Sequence, residues 1–374
     1  MAGGLRQISG VNVQGQPRRA ISLGADAWSV EIVDQTRLPH ELHISQITTL
    51  PQMAHAIEAM QVRGAPLIGV AACYGLALAL RADASDASME AAIASLCATR
   101  PTAVNLRSRL FQMRDVLRPL PPAKRMPAAY EFCERVAAEE IDISRRIGEH
   151  GLTLIEQARK KRPGQSRVNV LTHCNAGWLA TVDWGTALAP VYQAHRAGIP
   201  VHVWVDETRP RNQGYLTAWE LAQEGVPHTV VVDNAGGHLM QRGEVDLCLV
   251  GTDRTTAAGD VCNKIGTYLK ALAAQDNGVP FYVALPSSSI DWNITQALGQ
   301  IPIEQRSDGE VHEVAGLTRE GRTQSVRLSP RESQAVNYAF DVTPSRLVTG
   351  LITERGVSTA SKEGLLALYP ERRG

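Results

Sequence analysis

Polar and ionisable side chains follow several short apolar runs in the second half of the chain, each at the point where its run ends. Cys174 comes after Val168–Thr172, and Asp253 comes after Leu247–Val250. Runs of this length and composition are typical of buried strands, and open α/β sheets bind ligands outside the carboxyl ends of their strands. We therefore expect both residues at one edge of a sheet, where a thiol and a carboxyl group can move protons.

Cys174 stands between His173 and Asn175, where a predicted strand leads into a predicted helix. A helix N-terminus and a cationic neighbour both stabilise a thiolate, so the position is compatible with a reactive thiol. A buried structural thiol at a strand end is the commoner explanation by position alone.

Asp253 directly precedes Arg254. A surface ion pair or a cap for the following turn would explain this position equally well. In an apolar, desolvated cleft the same carboxyl group would stay protonated and act as a general acid.

Three cations are candidates for an anion site. Arg63 precedes Gly64–Pro66, which opens an apolar helix whose first-turn N–H groups would suit a phosphate. Arg100 also stands beside a proline-led turn, and Lys264, after Asn263, is predicted to begin a helix. Solvated surface charges are the commoner explanation for each of the three.

Composition and motifs exclude several classes of protein. The sequence carries 38 basic and 38 acidic residues, which argues against a broad surface for nucleic acid or for a membrane. It has neither a dinucleotide nor a P-loop motif, and its histidines and six cysteines have no metal-site spacing, so we expect no cofactor and no metal. Four histidines, His173, His202, His228 and His238, are interpreted as structural.

The compartment is expected to be the cytoplasm. Residues 1–10 lack the basic and apolar regions of a secretory signal. The apolar run Ala65–Leu80 is shorter than the ~20 residues of a membrane span, so we interpret it as a buried helix. Cysteines within apolar runs, without disulfide spacing, fit a reducing compartment.

The two halves of the chain have different periodicities, and together they predict an α/β protein. Short alternating stretches such as Trp28–Val33 indicate a few strands, and residues from Ile47 to about Glu140 are mostly helical. Tyr130–Ala158 is predicted to be a long connecting helix. We predict a small, mainly helical N-terminal domain with a few strands over residues 1–145.

The second half alternates strand-like runs with helical stretches. The runs are Val168–Thr172, Val201–Val205, His228–Val232, Leu247–Val250 and Pro280–Leu285, and the helical stretches are Trp178–Arg196, Leu216–Gln223 and Lys264–Ala274. This alternation predicts βαβ units and a parallel sheet buried on both faces. We predict a Rossmann-like domain over residues 146–374, with an excursion over 304–332 that we expect to contain a hairpin.

Eleven short stretches, in order along the chain, carry a family resemblance. They are Arg63–Gly69, Arg100–Leu106, Leu171–Gly177, Glu207–Pro210, Gln213–Gly214, Leu216–Leu221, Asp233–Asn234, Gly251–Arg254, Gly259–Tyr268, Phe281–Ser289 and Ala339–Pro344. Together they resemble the methylthioribose-1-phosphate isomerase family. That family shares a superfamily with the regulatory subunits of the initiation-factor guanine-exchange complex and with ribose-1,5-bisphosphate isomerase.

The resemblance implies an aldose–ketose isomerase of methionine salvage, a homodimer without cofactor, that converts 5-methylthio-D-ribose 1-phosphate to 5-methylthio-D-ribulose 1-phosphate. It implies that Asp253 is the proton donor and Cys174 the second catalytic residue. The substrate contacts that it implies are Arg63, Gly64, Ala65, Arg100, Gln213, Asn263 and Lys264. Proton transfer through the thiol and a hydride shift from C2 to C1 both stay open as routes.

Three departures from the family pattern concern the pocket for the 5-substituent of the sugar. They lie in Gln213–Leu216, Asp233–His238 and Thr255–Ala258, and they make 5-deoxyribose 1-phosphate a further candidate substrate. Two alternatives stay open. A ribose-1,5-bisphosphate isomerase would need a second anion site, and a non-catalytic regulatory subunit of the exchange-factor type would need no thiol–acid pair.

Overall fold

The computed structural model describes residues 11–101 and 103–373. The prediction that no secretory signal is present concerns residues 1–10, which lie outside the described residues. The chain divides into two compact units. One extends to Arg146 and includes Ala176–Ala189, and the other comprises Ile147–Asn175 and the chain from Pro190 onward.

The first unit combines short antiparallel strands with a group of helices. Its elements are β1 Asn12–Val13, β2 Gln16–Pro17, β3 Ile21–Leu23, β4 Val30–Val33, β5 Ile44–Ile47, α1 Leu50–Glu58, α2 Ala65–Ala82, α3 Asp86–Thr99, α4 Val104–Leu117 and the beginning of α5, Pro122–Lys161. Strands β3, β4 and β5 form an antiparallel sheet. The predicted connecting helix is confirmed and is longer than expected.

Helix α2 is the core of the first unit, as predicted for Ala65–Leu80. Every residue from Pro66 to Leu80 is buried. By length and composition the helix could cross a membrane, but 78% of it is buried inside the fold. Burial of an unbroken apolar helix among other helices explains the composition without a bilayer.

The second unit contains the predicted parallel sheet. Its strands and helices are β6 Val168–Thr172, α6 Ala189–Arg196, β7 Val201–Asp206, α7 Gln213–Gln223, β8 His228–Val231, α8 Ala235–Gln241, β9 Leu247–Val250, β10 Arg254–Thr256, β11 Val261–Lys264, α9 Thr267–Asp276, β12 Phe281–Ala284, β13 Ile290–Asp291, β14 Gln305–Arg306, α10 Gly309–His312, β15 Glu313–Leu317, β16 Thr323–Arg327, β17 Asn337–Tyr338, β18 Phe340–Thr343, β19 Gly350–Thr353, β20 Gly356–Ser358 and α11 Lys362–Leu368.

The main sheet has the strand order β20-β19-β12-β9-β6-β7-β8. All neighbours are parallel except β19 and β20. Numbered by their order in the chain, the parallel strands read 3-2-1-4-5-6 across the sheet, which is the Rossmann order. All residues of β9 are buried, as expected for a central strand covered on both faces. The predicted fold class is confirmed.

A second sheet, with the order β13-β10-β11-β18, was not predicted. Its strands have two to four residues and mixed polarity, so they give no apolar run to detect. The prediction that Lys264 begins a helix is wrong for this reason. Lys264 ends β11, where it pairs with Phe340, and α9 begins at Thr267.

The helix predicted over Trp178–Arg196 is wrong for most of its length. Only a 3₁₀ turn at its start and α6 at its end are helical. Trp184 and Gly185 both have left-handed backbone conformations, which a continuous helix excludes. Within the first unit, Leu179 accepts a hydrogen bond from the Gln35 side chain, so tertiary contacts override helix propensity here.

The excursion over 304–332 contains the expected hairpin. Strands β15 and β16 pair antiparallel over five residues each, and most of their side chains are exposed.

Candidate active site

The candidate site lies at the carboxyl edge of the main sheet, between β6 and β9. From β6 the chain proceeds to β7 and β8 on one side, and it then returns to β9 on the other side. The crevice at such a reversal is where doubly wound folds bind ligands. The ends of the two strands are tied together, because Thr172 Oγ1 donates to Leu249 O over 2.7 Å. Cys174 follows β6 and Asp253 follows β9, so the topology places both beside this crevice.

Cys174 is half-buried and has a left-handed backbone with φ of 67°. This conformation costs a non-glycine residue about 1–2 kcal/mol, so the surroundings must hold it. The N–H of Cys174 donates to Thr208 Oγ1, and its carbonyl accepts from Thr217 Oγ1, each over 2.8 Å. Both hydrogen-bonding groups of its main chain are therefore fixed by threonine side chains.

The prediction that Cys174 lies at a helix N-terminus is wrong. The residues after it are irregular, and the first helical turn, Trp178–Ala180, is 3₁₀ and only three residues long. A turn of that length gives little macrodipole, so any stabilisation of a thiolate must come from other groups.

A buried charged network lies behind Cys174. His173 Nε2 donates to Ile265 O over 2.8 Å, and His173 Nδ1 is 3.0 Å from Asp206 Oδ2. The same carboxylate oxygen is 3.2 Å from Lys270 Nζ, and the three side chains are almost fully buried. Gly266 permits this packing, because a Cβ there would lie 2.9 Å from the His173 ring. The interpretation of His173 as structural fits this arrangement.

His173, Asp206 and Asp233 offer ligand atoms within 4.8 Å of one another, a spacing that a metal ion could use. Both ring nitrogens of His173, however, already have protein partners. The ammonium group of Lys270 also lies against Asp206, so a cation would have to displace these contacts and sit beside a positive charge. We therefore interpret the cluster as a hydrogen-bonded network and assign no metal to it.

Asp253 lies in a turn that is anchored to the second sheet, since its N–H donates to Cys262 O over 3.0 Å. Its side chain is exposed. The expectation that burial keeps this carboxyl group protonated is therefore wrong for the structure as it stands, and a bound substrate would have to exclude the water. Burial, together with the negative charge of Asp253, raises the pKa of Cys262 to about 12, so this neighbouring thiol stays protonated at neutral pH.

Three of the predicted substrate contacts lie in the second unit. Gln213 begins α7 and is 5% exposed, and its buried Oε1 has no hydrogen-bond partner among residues 11–101 and 103–373. Such an acceptor suits a hydroxyl group of a ligand. Asn263 donates from Nδ2 to Thr267 Oγ1 over 3.0 Å. Lys264 Nζ lies 4.7 Å from the centre of the Phe340 ring.

The other four predicted contacts lie in the first unit and are half-buried. Arg63, Gly64 and Ala65 are consecutive at the start of α2. Gly64 has φ of 99°, and a Cβ at this position would lie 2.2 Å from Ala180 O, so only glycine fits. Arg100 directly follows α3, and Thr102 lies outside the described residues.

Sequence reasoning gave no role to Thr208, Thr217 or Lys270. Thr217 and Lys270 lie on the buried faces of α7 and α9, where each is fully or almost fully buried. Polar residues on an otherwise apolar helix face were the available signal, since buried polar groups need specific partners.

The loop after β7 is also hydrogen-bonded to the excursion over 304–332. Arg209 Nη2 donates to Val311 O over 2.9 Å, and Arg211 Nη1 donates to Glu310 over 2.7 Å. Burial acts to raise the pKa of Glu310, but hydrogen bonds from Arg306 and Arg211 outweigh burial and lower the pKa to about 2. Glu310 is therefore ionised near neutral pH, and its ion pairs stabilise the loop that carries Thr208.

Comparison with known proteins shows the family of the chain. The model of the initiation factor 2 subunit family matches residues 61–360. A methylthioribose-1-phosphate isomerase of Acidiphilium cryptum is 60% identical over 364 residues, which cover 97% of this chain and 98% of the relative.

Two solved structures are similar over nearly the whole chain. The 5-methylthioribose 1-phosphate isomerase of Pyrococcus horikoshii superposes with a TM-score of 0.82 at 37% identity, covering 95% of this chain and 96% of the other. The delta subunit of translation initiation factor eIF-2B from A. fulgidus superposes with a TM-score of 0.79 at 34% identity, covering 94% and 99%. The chain therefore belongs to the initiation factor 2 subunit family and, within it, to the methylthioribose-1-phosphate isomerases.

Proposed function

We propose that the chain converts 5-methylthio-D-ribose 1-phosphate to 5-methylthio-D-ribulose 1-phosphate, as the names of its relatives indicate. The observation that carries the proposal is the presence of Cys174 and Asp253 after two adjacent parallel strands, on either side of the switch point. Neighbouring strands are ~4.8 Å apart, so residues that follow their ends can reach one sugar ring. The reaction moves hydrogen within the substrate and needs no external oxidant or reductant.

The first step opens the ring. The anomeric oxygen of the substrate carries phosphate, so a free aldehyde cannot form and the ring oxygen must leave C1 instead. Asp253 gives its proton to the ring oxygen. The bond between C1 and the ring oxygen breaks, and its electron pair stays on the ring oxygen. The bound sugar covers the exposed carboxyl group, and this desolvation favours the protonated acid. Cys174, as thiolate, takes the C2 proton, and the C2–H electron pair becomes a C1=C2 double bond.

The second step returns both protons. The intermediate is an enol that carries phosphate on C1 and hydroxyl on C2. The C2 hydroxyl gives its proton to the Asp253 carboxylate, C2 becomes a ketone, and C1 takes the proton from the thiol of Cys174. Both side chains recover their starting forms, so the cycle balances without a further reactant.

The remaining site residues are proposed to bind the substrate. The resemblance supports Arg63, Arg100 and Lys264 as contacts for the phosphate and Gly64, Ala65 and Asn263 as further substrate contacts. Gln213 has a structural argument of its own, because its buried Oε1 is an unused acceptor among the described residues. A sugar hydroxyl is the donor that it fits.

The rival functions have weaker support. The eIF-2B subunit of A. fulgidus is 34% identical to this chain, whereas the isomerase of Acidiphilium cryptum is 60% identical over almost the full length of both proteins. A regulatory subunit also has no need for a thiol and an acid at the same switch point. A ribose-1,5-bisphosphate isomerase would need a second anion site, and the predicted site residues include no second basic cluster to supply it.

The proposal is tested by turnover of ribose 1-phosphates that differ at C5. The 5-methylthio, 5-deoxy and 5-phospho compounds would each be incubated with the purified chain, and the ketose would be measured by a carbonyl assay. We expect the highest kcat/KM for the 5-methylthio compound. Fastest turnover of the 5-phospho compound would assign the bisphosphate reaction, and no ketose from any of them would favour a binding role.

The pathway, the compartment and the oligomeric state of the enzyme are also part of the proposal. Methionine salvage follows from the substrate that the relatives are named for. A cytoplasmic location is supported by the free thiols of the six cysteines. The family resemblance supports a homodimer, which light scattering on the purified chain would test.

A further inference from the structure

The left-handed main chain of Cys174 has two specific restraints. A strained residue persists only where its surroundings over-determine it. At Cys174 the N–H donates to Thr208 Oγ1, and the carbonyl accepts from Thr217 Oγ1, each over 2.8 Å. Thr208 and Thr217 have no exposed surface, so water does not replace either contact.

The hydroxyl group of each threonine, Thr208 and Thr217, donates its proton to one specific main-chain carbonyl. Thr208 Oγ1 accepts from a main-chain N–H, so its own proton goes to Asp206 O, 3.0 Å away. Thr217 Oγ1 gives its proton to the Cys174 carbonyl and accepts from Asn175 Nδ2 over 3.1 Å. Removing either hydroxyl would remove a buried hydrogen bond to the main chain of Cys174, which is costly.

The restraint on Cys174 extends across three strand ends. Thr208 follows β7 and is itself left-handed, with φ of 62°, which is rare for a β-branched residue. Its N–H donates to Asp233 Oδ1 over 2.7 Å, and Asp233 follows β8. Successive hydrogen bonds thus connect the ends of β8 and β7 to the cysteine at the end of β6. A loop that served only to connect elements would not need two strained residues in contact.

We propose that Thr208 and Thr217 are positioning residues, whose hydroxyl groups hold the main chain of Cys174 in the conformation from which its thiol reacts. The inference rests on the proposed role of Cys174 in catalysis. It assigns a function to two side chains that need not touch the substrate, and it predicts that the hydroxyl group of each matters more than its methyl group.

The test compares substitutions that keep or remove the hydroxyl. We expect Thr208→Val and Thr217→Val to lower kcat by ~10–100-fold, with KM within ~3-fold of wild type, because a displaced catalytic group costs rate rather than binding. Thr208→Ser and Thr217→Ser should stay within ~3-fold of wild type in kcat. Thr217→Ala is a second hydroxyl-free variant that α7 accommodates, since alanine favours helix.

Two further readouts separate positioning from general stability. The pH–rate profile for alkylation of Cys174 by iodoacetamide should be displaced in the valine variants and unchanged in the serine variants. Crystal structures of the valine variants should show Cys174 with φ outside the left-handed region. Equal kcat for the valine and serine variants, or an unchanged alkylation profile in the valine variants, would overturn the inference.

Different results would contradict the positioning role of the threonines and the catalytic role of Cys174. If Cys174→Ser keeps wild-type turnover, the role of the thiol itself is wrong. If Cys174→Ser is inactive while the hydroxyl-free variants turn over normally, only the positioning role is wrong.

Discussion

Replacing Cys174 with serine is expected to lower kcat by ~10²–10⁴-fold and to leave KM within ~3-fold of wild type. Serine has nearly the same shape, but its hydroxyl group is far too weak an acid to supply an anionic base at neutral pH. Loss of one positioned proton-transfer group costs a factor of this size. The effect falls on kcat because the base acts in the transition state and adds little to ground-state binding.

The measurement is steady-state turnover of 5-methylthioribose 1-phosphate by both proteins. Cys97→Ser is the matched control, because Cys97 is a half-buried thiol on α3 without a proposed role, and it should retain wild-type kcat. Thermal unfolding of the two variants would show that each is folded. Near-normal turnover by folded Cys174→Ser would remove the thiol from the mechanism.

Replacing Asp253 with asparagine is expected to have an effect of similar size on kcat. The amide is isosteric with the carboxyl group and can donate a hydrogen bond, but it cannot transfer a proton to the ring oxygen. Asp253 is exposed, and its turn is held by main-chain hydrogen bonding to Cys262, so the substitution should not disturb the fold. A large loss of turnover would therefore show that the carboxyl group of Asp253 takes part in the reaction.

Turnover of Asp253→Asn would be compared with that of Asp276→Asn, which removes another exposed carboxylate at the end of α9. The control separates the loss of the acid from the loss of one negative charge. We expect Asp276→Asn to match wild type. Equal activity of the two variants would mean that another group protonates the ring oxygen.

The main sheet was predictable because burial on both faces leaves a strong signal in the sequence. β6 and β9 are apolar runs, and the side chains that follow such runs must lie at one edge of the sheet. The positions of Cys174 and Asp253 at the carboxyl edge of the sheet follow from this pattern. The second sheet gave no such signal, and local patterns consequently misassigned Lys264 to a helix.

The conformation of Cys174 could not be predicted from its neighbours in sequence. It depends on hydroxyl groups that lie 34 and 43 residues further along the chain. The contacts of His173 similarly join side chains that the fold brings together from separate strand ends and helices. Residue type and spacing indicated which chemistry was available, whereas the positioning of the reacting groups is a property of tertiary structure.

Turnover of 5-methylthioribose 1-phosphate by the wild-type chain in D₂O, followed by NMR, tests the central claim most directly. A thiol proton exchanges readily with solvent, so proton transfer through Cys174 predicts that a measurable share of the ketose carries solvent deuterium at C1, with no incorporation when purified ketose is incubated without enzyme. A ketose whose second C1 hydrogen comes entirely from C2 of the substrate, with no solvent deuterium, is the result expected of a hydride shift and would contradict the account.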